Sequence, residues 1–167
     1  MPESNDSRHL VKFLLTSAAC FFIGTIHGVL QVIKPIRAWL DAIGSPYGGP
    51  GHMIDPLAHA HINTVGGVVI FLMGATYYLL PRMLDRPIYS LRLVNHTYWW
   101  TTLGIAGFYS TLMVFGTIEG NLLLSEPDRI SEVHHYYGPI ISIVSTVMGI
   151  GFWVFFANLF LTVRSRP

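Results

Sequence analysis

The sequence is poor in charged residues and has almost no cysteine. Charged side chains make up 11% of its 167 residues, against about 25% in a typical soluble domain. Ten basic and nine acidic residues nearly cancel, so the chain has no strongly basic field that would attract nucleic acid. Its single cysteine, Cys20, excludes an internal disulfide and any metal site built on a CxxC pair. What remains is a hydrophobic chain, 51% apolar, which we expect to lie in a lipid bilayer.

Four stretches contain no Asp, Glu, Lys or Arg, namely 13–33, 56–81, 93–118 and 133–163. Each has the roughly 20 apolar residues that are needed to cross about 30 Å of hydrocarbon. A segment in lipid must satisfy its own backbone hydrogen bonds, so each stretch is predicted to be a helix. The sequence therefore predicts an all-α integral membrane protein. Its single domain, 1–167, is a bundle of four transmembrane helices at about 10–34, 56–81, 93–118 and 135–163.

Basic residues are distributed unevenly between the two ends of these helices. Four spans place both termini on one side, and that side holds seven basic residues: Arg8, Lys12, Arg82, Arg86, Arg92, Arg164 and Arg166. The other side holds three, which are Lys34, Arg37 and Arg129. Because basic residues accumulate on the cytoplasmic side of a membrane, we expect both termini in the cytoplasm.

Two histidines lie inside predicted helices at comparable depth. His27 comes seven residues before Lys34, and His61 comes five residues after Pro56. At the rise of an α-helix they lie roughly 10 Å and 8 Å inside the outer boundary. An iron porphyrin takes one axial imidazole on each face from separate helices, which His27 and His61 would supply. The alternative is that each imidazole hydrogen-bonds a neighbouring carbonyl group and braces the bundle.

His59 lies two residues before His61 and must point elsewhere. Residues i and i+2 of a helix are about 200° apart, so these two imidazoles cannot hold one small metal ion. Around His27, the glycines Gly24 and Gly28 leave room for the edge of a porphyrin. Gln31, one turn after His27, is either a partner that orients the imidazole or an ordinary interfacial polar residue.

His134 and His135 form an adjacent pair at the outer start of the fourth predicted helix. The pair resembles a copper-binding His pair, but its position beside Tyr136 and Tyr137 favours an interfacial role. Glu119 ends the third predicted helix on the same side, where exposure to water explains it adequately.

The stretch 57–84, LAHAHINTVGGVVIFLMGATYYLLPRML, contains His-x-His, a glycine, an apolar run and Tyr-x-x-x-Pro. It resembles the tenth helix of the catalytic subunit, subunit I, of heme-copper oxidases. The stretches 90–120 and 136–162 resemble the eleventh and twelfth helices of the cbb-type oxidases and the related nitric oxide reductases. The segment 24–31, GTIHGVLQ, is similar to part of the ninth helix. The resemblance covers nearly the whole chain but only the last third of a twelve-helix subunit.

The resemblance implies roles for the histidine pair. In the family, the first histidine ligates the high-spin heme and the second ligates the low-spin heme, and these roles fall on His59 and His61. The family's copper ligands and its other low-spin ligand come from helices outside the resemblance. The chain alone is therefore not expected to reduce oxygen or nitric oxide. Either a partner subunit supplies the missing helices, or the chain is a separate cytochrome in which His27 is the second ligand.

The expected function is that of a membrane cytochrome subunit that binds one or two hemes b and transfers electrons within a respiratory complex. The expected location is the cytoplasmic (inner) membrane of a bacterium or archaeon. Its expected partners are other membrane or periplasmic subunits, linked to cytochrome c or quinone, and a second copy of the chain. One alternative is a part of a catalytic assembly that a partner subunit completes. The other is a non-enzymatic membrane scaffold or heme sensor.

Overall fold

The computed structural model describes residues 7–165, and these residues form an all-helical fold. The five helices of this part are α1 (Val11–Val32), α2 (Lys34–Ala42), α3 (Gly49–Leu84), α4 (Leu91–Ser125) and α5 (Ile130–Arg164). Short 3₁₀ turns, Ser7–Leu10 and Pro127–Arg129, precede α1 and α5. Within the described residues, α1, α3, α4 and α5 are long and apolar enough to cross a membrane. The prediction of an all-α protein with four such helices is confirmed.

The observed helices differ from the predicted ones mainly at their ends. α1 ends where the backbone of Ile33 becomes extended (ψ 124°), and Pro35 then fits the first turn of α2. α3 continues through Pro81 to the left-handed Asp85, although the sequence predicted an end at Pro81. α4 extends seven residues beyond the predicted end at 118, to Ser125. A helix that leaves the hydrocarbon needs no apolar side chains, so charge-free stretches underestimate its length.

Glycines allow α1 and α3 to pack closely. A Cβ atom on Gly24 would lie 2.2 Å from Asn63 Oδ1, and one on Gly66 would lie 2.7 Å from Cys20 Sγ. The Ser17 hydroxyl donates to the carbonyl oxygen of Gly67 at 2.7 Å. Such contacts between small residues and backbone are the usual means of helix association in lipid, where burial of apolar surface gives no driving force.

α5 packs along α4 and forms the edge of the bundle. A Cβ atom on Gly151 would lie 2.6 Å from the backbone nitrogen of Thr101, and one on Gly104 would lie 2.4 Å from Met148 Cα. The opposite face of α5 is exposed and carries large apolar side chains, among them Trp153, Phe156 and Phe160. In a bilayer this face meets lipid or another helix.

A clasp of charged groups holds the segment between α1 and α3. The Arg37 guanidinium donates to the Asp41 carboxylate at 2.9 Å and to the Asp55 carboxylate at 2.7 Å. It also donates to the Ser45 hydroxyl at 2.8 Å, and Ser45 in turn donates to Asp55. Hydrogen bonds to these two carboxylates raise the pKa of Arg37 above its ordinary value. The clasp ends at Asp55, where the α3 backbone is kinked immediately before Pro56.

Candidate functional site

His61 lies in α3 with one of its ring nitrogens committed to the backbone. Its Nδ1–H donates to the carbonyl oxygen of Leu57, one turn earlier, at 2.8 Å. The half-buried ring lies against Phe108 of α4, with ring centroids 4.6 Å apart. No hydrogen bond to Nε2 is formed by residues 7–165. In the neutral imidazole, the Leu57 contact places the proton on Nδ1, which leaves the Nε2 lone pair available to a metal.

The backbone around the two histidines is wider than an ordinary α-helix. The α-helical turn His59–His61 lies after the kink at Asp55 and directly before a π-helical segment, Ile62–Val69. π-turns inside α-helices are rare and occur frequently at functional sites. No feature of the apolar pattern predicted them, because a π-turn changes the hydrogen-bond register and not the composition.

His59 points towards α1, away from the contacts of His61. Its ring packs edge to face against that of His27, with centroids 5.3 Å apart. A Cβ atom on Gly28 would lie 3.0 Å from His59 Nε2, so the imidazole lies almost on the α1 backbone. The two histidines of the His-x-His pair therefore serve two different neighbours.

Both ring nitrogens of His27 have hydrogen-bond partners. The Gln31 amide nitrogen can only donate, so Nε2 of His27 accepts from it at 3.0 Å. The ring proton then lies on Nδ1 and is donated to the Tyr109 hydroxyl oxygen at 3.3 Å. His27 is only 5% exposed and Gln31 7%. These contacts hold the His27 ring between α1 and α4, although its partners are an amide and a hydroxyl and not the carbonyl group that the bracing alternative expected.

The expectation that Gly24 and Gly28 leave free space for the edge of a porphyrin is wrong. The side chain of Asn63 fills the position next to Gly24, and His59 fills the position next to Gly28. The glycines lack side chains because α3 approaches α1 at these points. The sequence shows where the glycines are, but it does not show which side chain of a neighbouring helix packs against them.

Glu119 and His134 form a contact that the sequence did not reveal. The His134 Nδ1–H donates to both carboxylate oxygens of Glu119, at 3.0 and 3.2 Å. Glu119 is only 2% exposed, so its expected exposure to water is wrong. α4 continues past Glu119, and the start of α5 covers it. The sequence contains one indication of such a contact, namely a charged residue, Glu119, directly after the apolar stretch 93–118.

His134 and His135 do not converge on one point. The His135 ring packs against Tyr136, whereas the His134 ring packs against Tyr137. Among the described residues, no group of three or more His, Cys, Asp or Glu side chains lies close enough to hold a metal ion. Adjacent positions on a helix are about 100° apart, which separates the two imidazoles.

A buried polar network joins α3, α4 and α5 at the end of the bundle opposite His27, His59 and His61. The hydroxyls of Tyr77 and Thr97 lie 2.8 Å apart, and the Asn158 amide donates to the Ser90 carbonyl oxygen at 3.1 Å. The Thr162 hydroxyl accepts from the backbone N–H of Tyr89 at 3.0 Å. Tyr77, Asn158 and Thr162 belong to the stretches that carry the family resemblance. The contacts of Asn158 and Thr162 tie the start of α4 to the end of α5, and the contact of Tyr77 ties α3 to α4.

Comparison with known proteins decides the family. The family model described as Cytochrome C and Quinol oxidase polypeptide I matches residues 6–138. The chain belongs to this family. The resemblance to heme-copper oxidase subunit I, first seen in the stretch 57–84, is thereby confirmed.

The relatives are bacterial oxidase subunits. The chain is 28% identical over 171 residues to "Cytochrome c oxidase subunit 1 homolog, bacteroid" of Bradyrhizobium diazoefficiens, covering 93% of the chain and 28% of the relative. It is 26% identical over 113 residues to "Cbb3-type cytochrome c oxidase subunit CcoN1" of Stutzerimonas stutzeri, covering 66% and 22%. It is 25% identical over 170 residues to "Cytochrome c oxidase subunit 1" of Rhodobacter capsulatus, covering 95% and 30%.

The family and the helices together define the class of protein. The chain is a multi-pass membrane protein of the respiratory oxidase subunit I type, a family whose members bind heme and work in complexes of several subunits. It spans 22% to 30% of the length of these relatives. The activity of a whole oxidase subunit is therefore not assigned to it by the match.

Proposed function

We propose that the chain is a heme b-binding subunit of a respiratory membrane complex, with His61 as an axial ligand of the heme iron. The observation that carries this proposal is the hydrogen bond from His61 Nδ1–H to the Leu57 carbonyl oxygen. Iron binds the lone pair of a neutral imidazole, and metal-bound histidines commonly donate their other N–H to a carbonyl group. The Leu57 carbonyl supplies that partner.

The surroundings of His61 suit a porphyrin better than a bare metal ion. The described residues contain no three-ligand cluster, whereas a porphyrin already supplies four nitrogens and needs only axial imidazoles. Phe108 offers an aromatic face beside the ring. When bound, the heme would supply reversible one-electron transfer. The protein would orient the ligand through Leu57 and keep water away with the apolar helices.

His27 and His59 have a different place in the proposal. The sequence-based pairing of His27 with His61 requires the Gln31 amide to leave His27 Nε2. A second heme at His59, which the family resemblance implies, requires its imidazole to move away from Gly28. We propose that both histidines brace the α1–α3 contact in the described state, and that a partner subunit or a rearranged His27 supplies the second axial nitrogen.

The proposed complex lies in the cytoplasmic membrane with both chain termini inside. The positive-inside asymmetry supports this orientation, although Arg166 lies outside the described residues. Because the chain spans less than a third of its relatives, we propose that partner subunits provide the remaining helices. In a second candidate function, suggested by the relatives' names, that completed assembly reduces oxygen.

Heme content of the purified chain tests the proposal. We expect a b-type reduced-minus-oxidised spectrum in the wild type and loss of most of the heme in His61→Ala. His96→Ala is the matched control, because His96 is an exposed α4 histidine near the opposite membrane surface and should retain its heme. Equal heme content in the wild type and His61→Ala would refute the assignment. A wild type without porphyrin would favour a scaffold, and a high-spin, carbon-monoxide-reactive spectrum would favour the catalytic assembly.

A further inference from the structure

An apolar groove of about 380 Å³ runs between the start of α1 and the last part of α3, away from His61. Four large side chains form its walls, namely Val11, Leu14, Phe71 and Tyr78. Each of them is between 43% and 47% exposed. The small residues Gly74 and Ala75 lie between these walls and form the floor. Because α3 crosses the membrane, the groove lies parallel to the acyl chains of the surrounding lipid.

Arg82 lies one turn beyond Tyr78, towards the membrane surface. Its guanidinium carbon is 3.5 Å from the centre of the Tyr78 ring, and one of its N–H groups donates to the Tyr78 carbonyl oxygen. No acidic side chain among residues 7–165 forms an ion pair with it. A guanidinium has five N–H donors in a planar fork, so most of them remain for a ligand. The apolar groove thus ends beside an available cation.

The charges around this end of the bundle favour an anionic ligand. Asp85 is the only acidic residue of 7–165 at this membrane surface. The basic residues there are Arg8, Lys12, Arg82, Arg86, Arg92 and Arg164. Lys12 donates to the Asn95 side chain and lies over the Tyr98 ring, so it is already engaged. Arg82 is therefore the cation that contacts a wall of the groove and still has donors for an anion.

We propose that the groove binds one anionic phospholipid, with an acyl chain along the groove and the phosphate at Arg82. The surrounding lipid is as apolar as the groove, so the chain alone provides no selectivity. Selectivity comes from the head group, because a guanidinium can donate to two phosphate oxygens at once. Basic pockets between transmembrane helices bind anionic head groups in this way. The cationic group of a zwitterionic lipid is disfavoured by the excess of basic residues.

The size of the groove favours an acyl chain over another helix. Phe71 and Tyr78 are seven residues apart, so the groove extends about 10 Å along α3. Its mean cross-section is then about 38 Å². An α-helix about 10 Å wide has a cross-section of about 80 Å². A single extended hydrocarbon chain is narrower than either and can lie between the walls.

Native mass spectrometry of the purified full chain in detergent tests the head-group contact. The chain is titrated with phosphatidylglycerol and, separately, with phosphatidylcholine of the same acyl chains. We expect one tightly bound phosphatidylglycerol per chain, and binding at least about tenfold weaker in Arg82→Gln, which loses a charged hydrogen bond. Arg164→Gln is the matched control. It removes the same charge at the same membrane surface, but from α5 beside Phe160, and should bind as the wild type does.

A second pair of variants tests the acyl-chain contact. Ala75→Trp fills the floor of the groove and should weaken phosphatidylglycerol binding to a similar extent, although Arg82 is still present. Leu79→Trp is its control, because Leu79 is 50% exposed on the same helix and does not line the groove. Circular dichroism of each variant verifies that it is folded.

Four results would refute the proposal. The first is a wild type that binds no phosphatidylglycerol, or that binds phosphatidylcholine equally tightly. The second is wild-type affinity in Arg82→Gln or in Ala75→Trp. The third is equal weakening in Arg164→Gln, which would indicate a general effect of surface charge. The fourth is a dimer that added lipid does not dissociate and that Ala75→Trp does, because a second copy would then occupy the groove.

Discussion

The imidazole rings of His27 and His59 pack edge to face across the contact between α1 and α3, with centroids 5.3 Å apart. Gly28 makes this contact possible, since a side chain there would meet His59 Nε2. The two rings touch, so no porphyrin plane lies between them. His61 instead packs against Phe108 of α4. One helix thus carries a histidine for packing and a histidine for the proposed heme within a single turn.

We expect His27→Ala to weaken the fold, and to leave the heme content unchanged where a partner subunit, and not a rearranged His27, supplies the second axial nitrogen. The substitution removes the acceptor of the buried Gln31 amide, and an unpaired buried polar group costs about 1–3 kcal/mol. Denaturant or thermal unfolding, monitored by circular dichroism, measures the stability, and absorbance measures the heme. A second variant, His27→Met, tests the opposite result, in which His27 does bind the heme iron. A shift to a His/Met type spectrum with a raised potential would show that His27 is the axial ligand predicted from the sequence.

Gly151→Ala is expected to separate α4 from α5. The new methyl group would lie 2.2 Å from Thr101 Oγ1 and 2.6 Å from the Thr101 backbone nitrogen, and such overpacking costs about 1–3 kcal/mol. Gly149→Ala is the matched control, because nothing lies within 4 Å of a Cβ atom at that position. It should keep or raise the stability through better helix propensity. Equal melting temperatures for the two variants would contradict the packing described for α5.

Asn158→Ala should loosen the junction between the start of α4 and the end of α5. It removes the hydrogen bond to the Ser90 carbonyl oxygen and leaves a cavity at a position that is 0% exposed. We expect a loss of about 1–3 kcal/mol in unfolding free energy. Ser142→Ala is the control, since the Ser142 hydroxyl is exposed and donates only to Gly138 of its own helix. The two variants would melt alike if the polar network were unimportant.

Labelling of single cysteines determines the orientation in the membrane. In a Cys20→Ala background, Tyr47→Cys should react with a membrane-impermeant maleimide added outside, because Tyr47 is 96% exposed in the proposed outer segment. Met83→Cys, at a position that is 80% exposed near the end of α3, should react only after the membrane is opened. The reverse pattern would place the termini outside and overturn the assignment based on basic residues.

Much of the architecture was evident from the order of the residues. Four charge-free stretches are sufficient to predict four helices, because a backbone in lipid must form its hydrogen bonds within the same segment. The divergence of His59 and His61 follows from helix geometry in the same way. The stretch 57–84 also carried the family resemblance, since its histidines, glycine, tyrosine and proline stand at fixed spacings along one helix. All these features are local.

The partners of each side chain were decided by the tertiary structure. Gly28 was expected to leave room for a porphyrin edge but instead admits His59, and Glu119 was expected in water but is covered by the start of α5. Which residue meets which depends on the relative register and rotation of two helices, and a shift of one residue along a helix turns its side chains by about 100°. Apolar stretches in lipid tolerate many registers. Glycine contacts such as Gly151 with Thr101, and buried hydrogen bonds such as Asn158 with Ser90, select one of them.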